Sequence, residues 1–199
     1  MKTIVLASGS PRRKKLLDQL QIPFKVKIST VEEQYDDALA PADIVQMLAS
    51  RKAEDVAQTF EDALIIGADT IVVFRETILE KPCSSEAARQ MLMQLSEDTH
   101  SVVTGVSLYK KAPGKKSRIH TFFEETKVTF GNLNADDVQR YVASGSPMDK
   151  AGAYGIQDNY GSIFVKRIEG DYNTVVGFPL YAFYQVMQDF APEYLTAQK

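Results

Sequence analysis

The sequence has 199 residues, enough for one sizeable domain or for two small lobes sharing a core. Hydrophobic residues make up 44% and charged residues 25%, and 23 basic against 26 acidic side chains leave a net charge of −3. That balance argues against wrapping a nucleic acid polymer, which needs a basic surface, and against a polybasic membrane anchor. A single cysteine, Cys83, excludes an intramolecular disulfide and a multi-cysteine zinc site, and His100 and His120 leave little for a histidine metal cluster. No apolar run reaches the ~18 residues of a membrane span.

Residues 1–8 have the look of a signal start. The apolar part, Ile4 to Ala7, is nevertheless too short for a hydrophobic region of ~7–15 residues, and Pro11, Arg12 and Arg13 follow soon after. A mature N-terminus and a reducing cytoplasm are the expectation. Residues 3–7 read as a short buried strand, and Ser8-Gly9-Ser10-Pro11 as a turn into a helix, with Ser10 as cap and Pro11 in the first helical position. Residues 24–28 alternate as a half-exposed strand. The longest helical pattern covers 41–60, with Ile44, Val45, Leu48, Val56 and Phe60 on one side. Residues 64–74 form an apolar strand interrupted at Gly67, Asp69 and Thr70, followed by a hairpin tip at 75–77 and a returning strand at 78–81.

Ser84 or Ser85 opens a short helix with Ala88, Met91, Leu92 and Leu95 inward. Strands at 101–109 and 118–130 flank a Pro113-Gly114 turn, and Asn134 caps a helix to about residue 143. Gly152, Gly155 and Gly161 mark loops before a strand at 163–168, and a last helix runs between Pro179 and Pro192. No internal repeat is present. Strands alternating with helices, with hairpins intruding, predict an α/β or α+β fold on a sheet of mixed direction.

Three anomalies carry candidate chemistry. Arg12-Arg13-Lys14-Lys15 sit in the first turn of a helix, where the macrodipole disfavours cations. An anion bound at the turn reverses that penalty, so the segment reads as a phosphate cradle or, equally, as a solvated basic helix end. No phosphate-binding G-x-x-x-x-G-K-[ST], dinucleotide G-x-G-x-x-G or nucleophile G-x-S-x-G pattern occurs. Asp69 interrupts a run that should be buried, where a carboxylate is costly unless paired, hydrogen-bonded or metal-bound. The hairpin places it roughly opposite Lys81 and Pro82. Lys52 lies on or beside the buried stripe of its helix, either snorkelling to water or converging on an anion. Glu32, Glu33, Asp36 and Asp37 form an acidic loop, solvated or able to join Asp69 in holding Mg²⁺ or Mn²⁺. The basic cluster at Lys110, Lys111, Lys115, Lys116 and Arg118 reads as an exposed hairpin, and Cys83 as a buried or bystander thiol.

Taken together, residues 6–13 (LASGSPRR), 67–70 (GADT), 80–82 (EKP), 149–157 (DKAGAYGIQ) and 170–180, from Gly-Asp-Tyr to Val-Gly-Phe-Pro-Leu, closely resemble the Maf family of nucleoside triphosphate pyrophosphatases. The matches span nearly the whole chain in the family's order. The resemblance implies one Maf-like domain over residues 1–199, an α/β fold with a mixed sheet, flanking helices and two lobes around a deep nucleotide-binding cleft. It implies hydrolysis of a nucleoside triphosphate to monophosphate and diphosphate with a divalent cation (Mg²⁺, Mn²⁺ or Co²⁺).

By resemblance, Asp69 is the proton acceptor. Ser8, Arg12, Arg13, Lys52 and Lys81 line the phosphate path, Lys52 and Lys81 among the catalytic set. Glu33, with Asp69, is assigned to the metal. Arg12, Thr70 and Gln157 stand at positions tied to base choice and place the chain with members acting on dTTP and UTP. The 7-methyl-GTP branch typically carries Trp and Glu in place of Arg12 and Gln157. A Gln amide, with one donor and one acceptor face, suits the O4 and N3–H edge of uracil or thymine; flipped, it suits cytosine as well. A cytoplasmic homodimer acting in nucleotide-pool sanitation, with no nucleic acid polymer and no membrane as partner, completes the expectation. A purine (dITP/XTP) pyrophosphatase and a nucleotide-sensing regulator of cell division are the rival readings.

Overall fold

The computed structural model describes residues 2–158 and 160–195. In chain order the elements are β1 (Ile4–Leu6), α1 (Pro11–Asp18), β2 (Lys25–Val26), α2 (Pro41–Ala57), β3 (Ala63–Phe74), β4 (Thr77–Leu79) and α3 (Ser85–Leu95). Then come β5 (Thr99–Lys111), β6 (Arg118–Phe130), α4 (Ala135–Ala143), α5 (Gly161–Phe164), β7 (Val165–Glu169), α6 (Tyr172–Val176) and α7 (Leu180–Phe190). The strands form a seven-stranded sheet in the order β2-β1-β3-β5-β6-β7, with β4 attached to β3. β1 runs parallel to β2 and β3, while β3–β4 and β6–β7 are antiparallel, so the sheet is mixed as expected. The fold is α/β.

The chain divides into two compact units. The first holds the residues up to Asp69, Thr104–Glu124 and everything from Gly177 on. The second holds Thr70–Val103 and Glu125–Val176. In the first unit, α2 lies unusually close to the strands beneath it. A Cβ on Gly67 would fall 2.1 Å from the Ala49 carbonyl oxygen and 2.9 Å from the Ala53 nitrogen, and one on Gly105 would fall 2.5 Å from the Val45 carbonyl. Val45, Ala49 and Ala53 recur every four residues, so one ridge of the helix rests on two glycines. Side chains alternate along a strand, so Ala63, Ile65, Gly67 and Asp69 share one face of β3. On that face Ala63 and Ile65 pack with Val5, Ala7, Ala53, Val56 and Ala57.

The second unit packs Leu92 and Leu95 of α3, Val138, Tyr141 and Val142 of α4, and Val128 and Phe130 of β6 into one core. His100 lies inside it, 2% exposed, with its Nε2 2.7 Å from the Tyr154 hydroxyl and its ring edge-on to Phe130 and Tyr154.

Several boundaries differ from the sequence expectation for identifiable reasons. The strand expected at 24–28 shrinks to Lys25–Val26, because its partner β1 is three residues long and offers only Val5 and Leu6. The helix expected to Phe60 ends at Ala57; Thr59 and Phe60 donate to the carbonyls of Val56 and Ala57, the tighter bonding of a frayed last turn. The hairpin tip is two residues, not three: Arg75 (φ 48°) and Glu76 (φ 66°) are both left-handed without a glycine, and Thr77 already pairs with Phe74. The strand placed at 163–168 starts two residues later, because the chain first makes the helical turn Gly161–Phe164, opened by Ser162 N donating to Asp158 O at 2.9 Å. Cys83 is exposed, so of the two readings of its thiol the buried one is excluded. The helix α6 and the 3₁₀ turns Ser146–Asp149 and Ala151–Ala153 left no sequence signal that was read.

Two outcomes follow for stability. Gly67→Ala forces a methyl into the Ala49 carbonyl and should cost about 3 kcal/mol in urea denaturation. Gly131→Ala, with nothing within 4 Å of its Cβ position, should stay within ~0.5 kcal/mol. Burial lowers the His100 imidazole from 6.5 to about 4, with the Asp98 charge opposing. The native ring therefore stays neutral while the unfolded chain takes up its proton first as pH falls. Stability should drop by about 3 kcal/mol between pH 6.5 and 4 and change no further on this account below 4. Subtracting the pH profile of His100→Gln from that of the wild type checks it.

Candidate active site

The loop between β1 and α1 is built by two serines. Ser8, buried, accepts at its Oγ from Ser10 N (3.2 Å) and from Arg13 Nη1 (3.3 Å). Ser10 caps α1 as expected, accepting at Oγ from Arg13 N at 3.4 Å, and Pro11 takes the first helical position. The first turn of α1 contains no acidic residue, so the basic side chains stand at the positive end of the dipole. They do not act alike. Arg13 turns inward, donating through Nε to the Gly177 carbonyl at 2.9 Å. Burial pushes its guanidinium pKa down, while the nearby Asp69 charge pushes it back up, Arg12 down and Glu33 up. Arg13 thus sits in the field of both candidate carboxylates, and Arg12 is half-exposed beside it.

Lys52 joins those carboxylates. Its Nζ lies 2.6 Å from Asp69 Oδ1 and 2.5 Å from Glu33 Oε1. The Lys52 and Asp69 side chains are each 10% exposed, and that of Glu33 is 53% exposed. Of the two sequence readings of Lys52, snorkelling is excluded: the amine is held inside. The geometry follows from the fold. Asp69 points to the same face of β3 as Gly67, and Gly67 admits the backbone of α2 at Ala49 and Ala53, which brings Lys52 over the carboxylate.

The same helix fixes the loop that carries Glu33. Asp55 accepts from Ser29 Oγ (2.9 Å), Thr30 N (2.9 Å) and Thr30 Oγ1 (3.4 Å), and Arg51 Nη1 donates to Gln34 O at 2.7 Å. The Thr30 and Ser29 hydrogen bonds hold the Asp55 carboxyl below its ordinary range. Arg51 and Asp55 were not singled out from the sequence. The signal was there, since residues 51, 52 and 55 fall within one helical turn, but nothing local said that a distant loop was their partner.

Thr70, Lys81 and Gln157 belong to the second unit. Thr70 follows Asp69 along β3 and is half-buried, while Lys81 and Gln157 are exposed. The β3–β4 ladder ends at Val72–Leu79. Within the first unit the cation on Asp69 is Lys52.

The second unit also holds an ionic cluster that sequence reasoning missed, although its residues lie in the quoted 149–157 segment and just after it. Lys150, 8% exposed, contacts Asp149 Oδ1 (2.7 Å), Asp158 Oδ2 (3.1 Å) and Ser146 O (2.5 Å). Tyr141 OH and Ser146 Oγ also donate to Asp158 Oδ2, at 3.0 and 2.6 Å. A cation position shared by two carboxylates is also the donor set a hard divalent ion uses. Glu33 and Asp69 offer oxygen only, and phosphate oxygens and water would complete a shell. Among the described residues no group of three His, Cys, Asp or Glu gathers to make an all-protein metal cage. The oxygen donors of Glu33 and Asp69 are of the kind that Mg²⁺ or Mn²⁺ takes.

The chain is similar to known proteins. Residues 3–190 match the family described as Maf-like protein. A dTTP/UTP pyrophosphatase of Halalkalibacterium halodurans is 49% identical over 180 residues, covering 90% of this chain and 92% of that one. One from Bacillus cytotoxicus is 46% identical over 190 residues, 96% of each chain. Among solved structures, a HAM1 protein from Coxiella burnetii aligns over 95% of this chain and 100% of its own, with 15% identity and a TM-score of 0.44.

Removing the shared ammonium should be costly, because Asp69 would stay buried with its cation gone. Lys52→Met is expected to lose about 3 kcal/mol in urea denaturation at neutral pH. A loss below 1 kcal/mol would show that Lys52 is not what makes the buried carboxylate tolerable.

Proposed function

The chain belongs to the Maf-like family, and from that premise we propose that it is a nucleoside triphosphate pyrophosphatase hydrolysing dTTP and UTP to the monophosphate and diphosphate. The observation that carries the reading is the Glu33–Lys52–Asp69 cluster, in a chain whose relatives at 46–49% identity bear that activity in their names. Residues 1–199 act as one Maf-like domain in this reading, since the family match runs through both units.

Asp69 accepts the proton of the attacking water. The Lys52 ammonium at 2.6 Å holds that carboxylate in place. Ser8, Arg12, Arg13 and Lys81 take the phosphates, and their positive charge stabilises the leaving diphosphate. Arg13 is held in place through Nε on Gly177 O and Nη1 on Ser8 Oγ. Glu33 and Asp69 would hold the divalent cation, which when bound supplies Lewis-acid stabilisation of charge on phosphate oxygens. Arg12, Thr70 and Gln157 select the base. Attack at the α-phosphorus gives diphosphate, whereas attack at the γ-phosphorus gives orthophosphate. A cytoplasmic homodimer is part of this proposal; light scattering on the purified protein tests the assembly.

The decisive measurement is product analysis with dTTP and UTP. Wild type should release diphosphate, and Asp69→Asn should lower kcat by at least ~100-fold. Orthophosphate as first product, or an Asp69→Asn rate close to wild type, overturns the assignment, and a preference for dITP over dTTP overturns the substrate.

A further inference from the structure

A glutamine amide is an ambiguous reader of pyrimidines. Its donor and acceptor can be exchanged by rotation about the last torsion, turning a partner for the O4/N3–H edge into a partner for the N4–H/N3 edge of cytosine. In this chain Gln157 is not isolated. Its Nε2 donates to Asp158 Oδ1 at 3.2 Å.

A carboxylate can only accept, so this contact is possible in one amide orientation only. The flipped amide would set Oε1 against Oδ1, two acceptors with no hydrogen between them. Asp158 is itself held firmly. Its other oxygen, Oδ2, receives Ser146 Oγ (2.6 Å), Tyr141 OH (3.0 Å) and the Lys150 ammonium (3.1 Å). The backbone is fixed as well: Asp158 N donates to Gly155 O and Asp158 O accepts from Ser162 N, both at 2.9 Å. Gly155 leaves room for this packing, because a Cβ there would lie 2.7 Å from Asp158 Oδ2 and 2.8 Å from Lys150 Cε. Burial works to raise the Asp158 carboxyl, but the hydrogen bonds from Ser146, Lys150 and Tyr141 outweigh it and keep it below the usual carboxylate range. It therefore remains an acceptor throughout neutral pH.

We propose that Asp158 is a positioning residue for base choice: by accepting from Gln157 Nε2 it locks the amide in one orientation, leaving Oε1 and the second Nε2–H to read a single donor–acceptor order and so to separate thymine and uracil from cytosine. The proposal rests on the assignment of Gln157 to the base. It gives the half-buried Lys150–Asp158–Ser146–Tyr141 cluster a purpose beyond packing, because the cluster spends one carboxylate oxygen on anchoring and keeps the other for the amide.

The test is the ratio of kcat/KM for dCTP to that for dTTP, measured on one preparation so that the folded fraction cancels. In Asp158→Asn the one amide oxygen must keep accepting from Ser146, Tyr141 and Lys150, so the NH2 faces Gln157, the acceptor that held Nε2 is gone and the flipped amide is favoured. The ratio is expected to rise roughly tenfold, with Asp158→Glu restoring most of the discrimination. A merely structural role lowers both substrates together and leaves the ratio where it was. Asp158→Ser, whose hydroxyl also donates and accepts, replaces the Asn variant if that one does not fold. Gln157→Ala is run in parallel. If Gln157→Ala changes the ratio and Asp158→Asn does not, the lock is overturned and the role of Gln157 stands. If neither changes it, Gln157 does not read the base and both assignments fall.

Discussion

Close approach of α2 to the sheet is the constraint from which the candidate active site descends. Two glycines, Gly67 and Gly105, remove the side chains that would hold the helix at an ordinary helix–sheet distance. Val45, Ala49 and Ala53 then settle onto bare backbone. The register is fixed with the distance, since Gly67 meets Ala49 and Ala53 specifically. Lys52 lies between those two contacts, and Asp69 stands two residues beyond Gly67 on the same face. Neither residue can move along its element without breaking the backbone fit, so the ion pair is set by sterics before electrostatics acts.

The electrostatics then explains why a carboxylate is tolerated at a buried position. An unpaired Asp69 would be expensive, whereas one sharing an ammonium with a second, exposed carboxylate is not. The cluster is asymmetric: Asp69 is enclosed, and Glu33 reaches water. Arg13, drawn in from the start of α1 to Ser8 and Gly177, adds positive charge on the same side. A net charge of −3 over the whole chain says nothing about this local concentration.

Much of this was legible from residue types alone. Ser10 and Pro11 announced α1, Asn134 announced α4, and the turn residues bounded the long strands. Asp69 stood out because it broke a buried run, and Lys52 because it lay beside an apolar stripe. What could not be read was which distant segment each polar group met. The hairpin suggested a cation for Asp69 near Lys81, whereas nothing local announced the one that α2 supplies. Arg51 and Asp55 drew no attention, because their partners lie more than fifteen residues away along the chain. Gly67 reads as an interruption of an apolar strand, whereas it is where the helix backbone comes closest. That role depends on the facing helix, which no local pattern encodes.

The loop bearing Glu33 shows a consequence of these ties. One turn of α2 grips it before, at and after Glu33, through Asp55 on Ser29 and Thr30, Lys52 on Glu33 itself, and Arg51 on the Gln34 carbonyl. An irregular segment this polar would otherwise sample many conformations, and fixing each of its residues costs about 1–2 kcal/mol of chain entropy. Here folding of the helix has already met that cost. The ligand proposed for Glu33 would meet a loop already ordered, so its own interaction energy would go to recognition and not to ordering the chain.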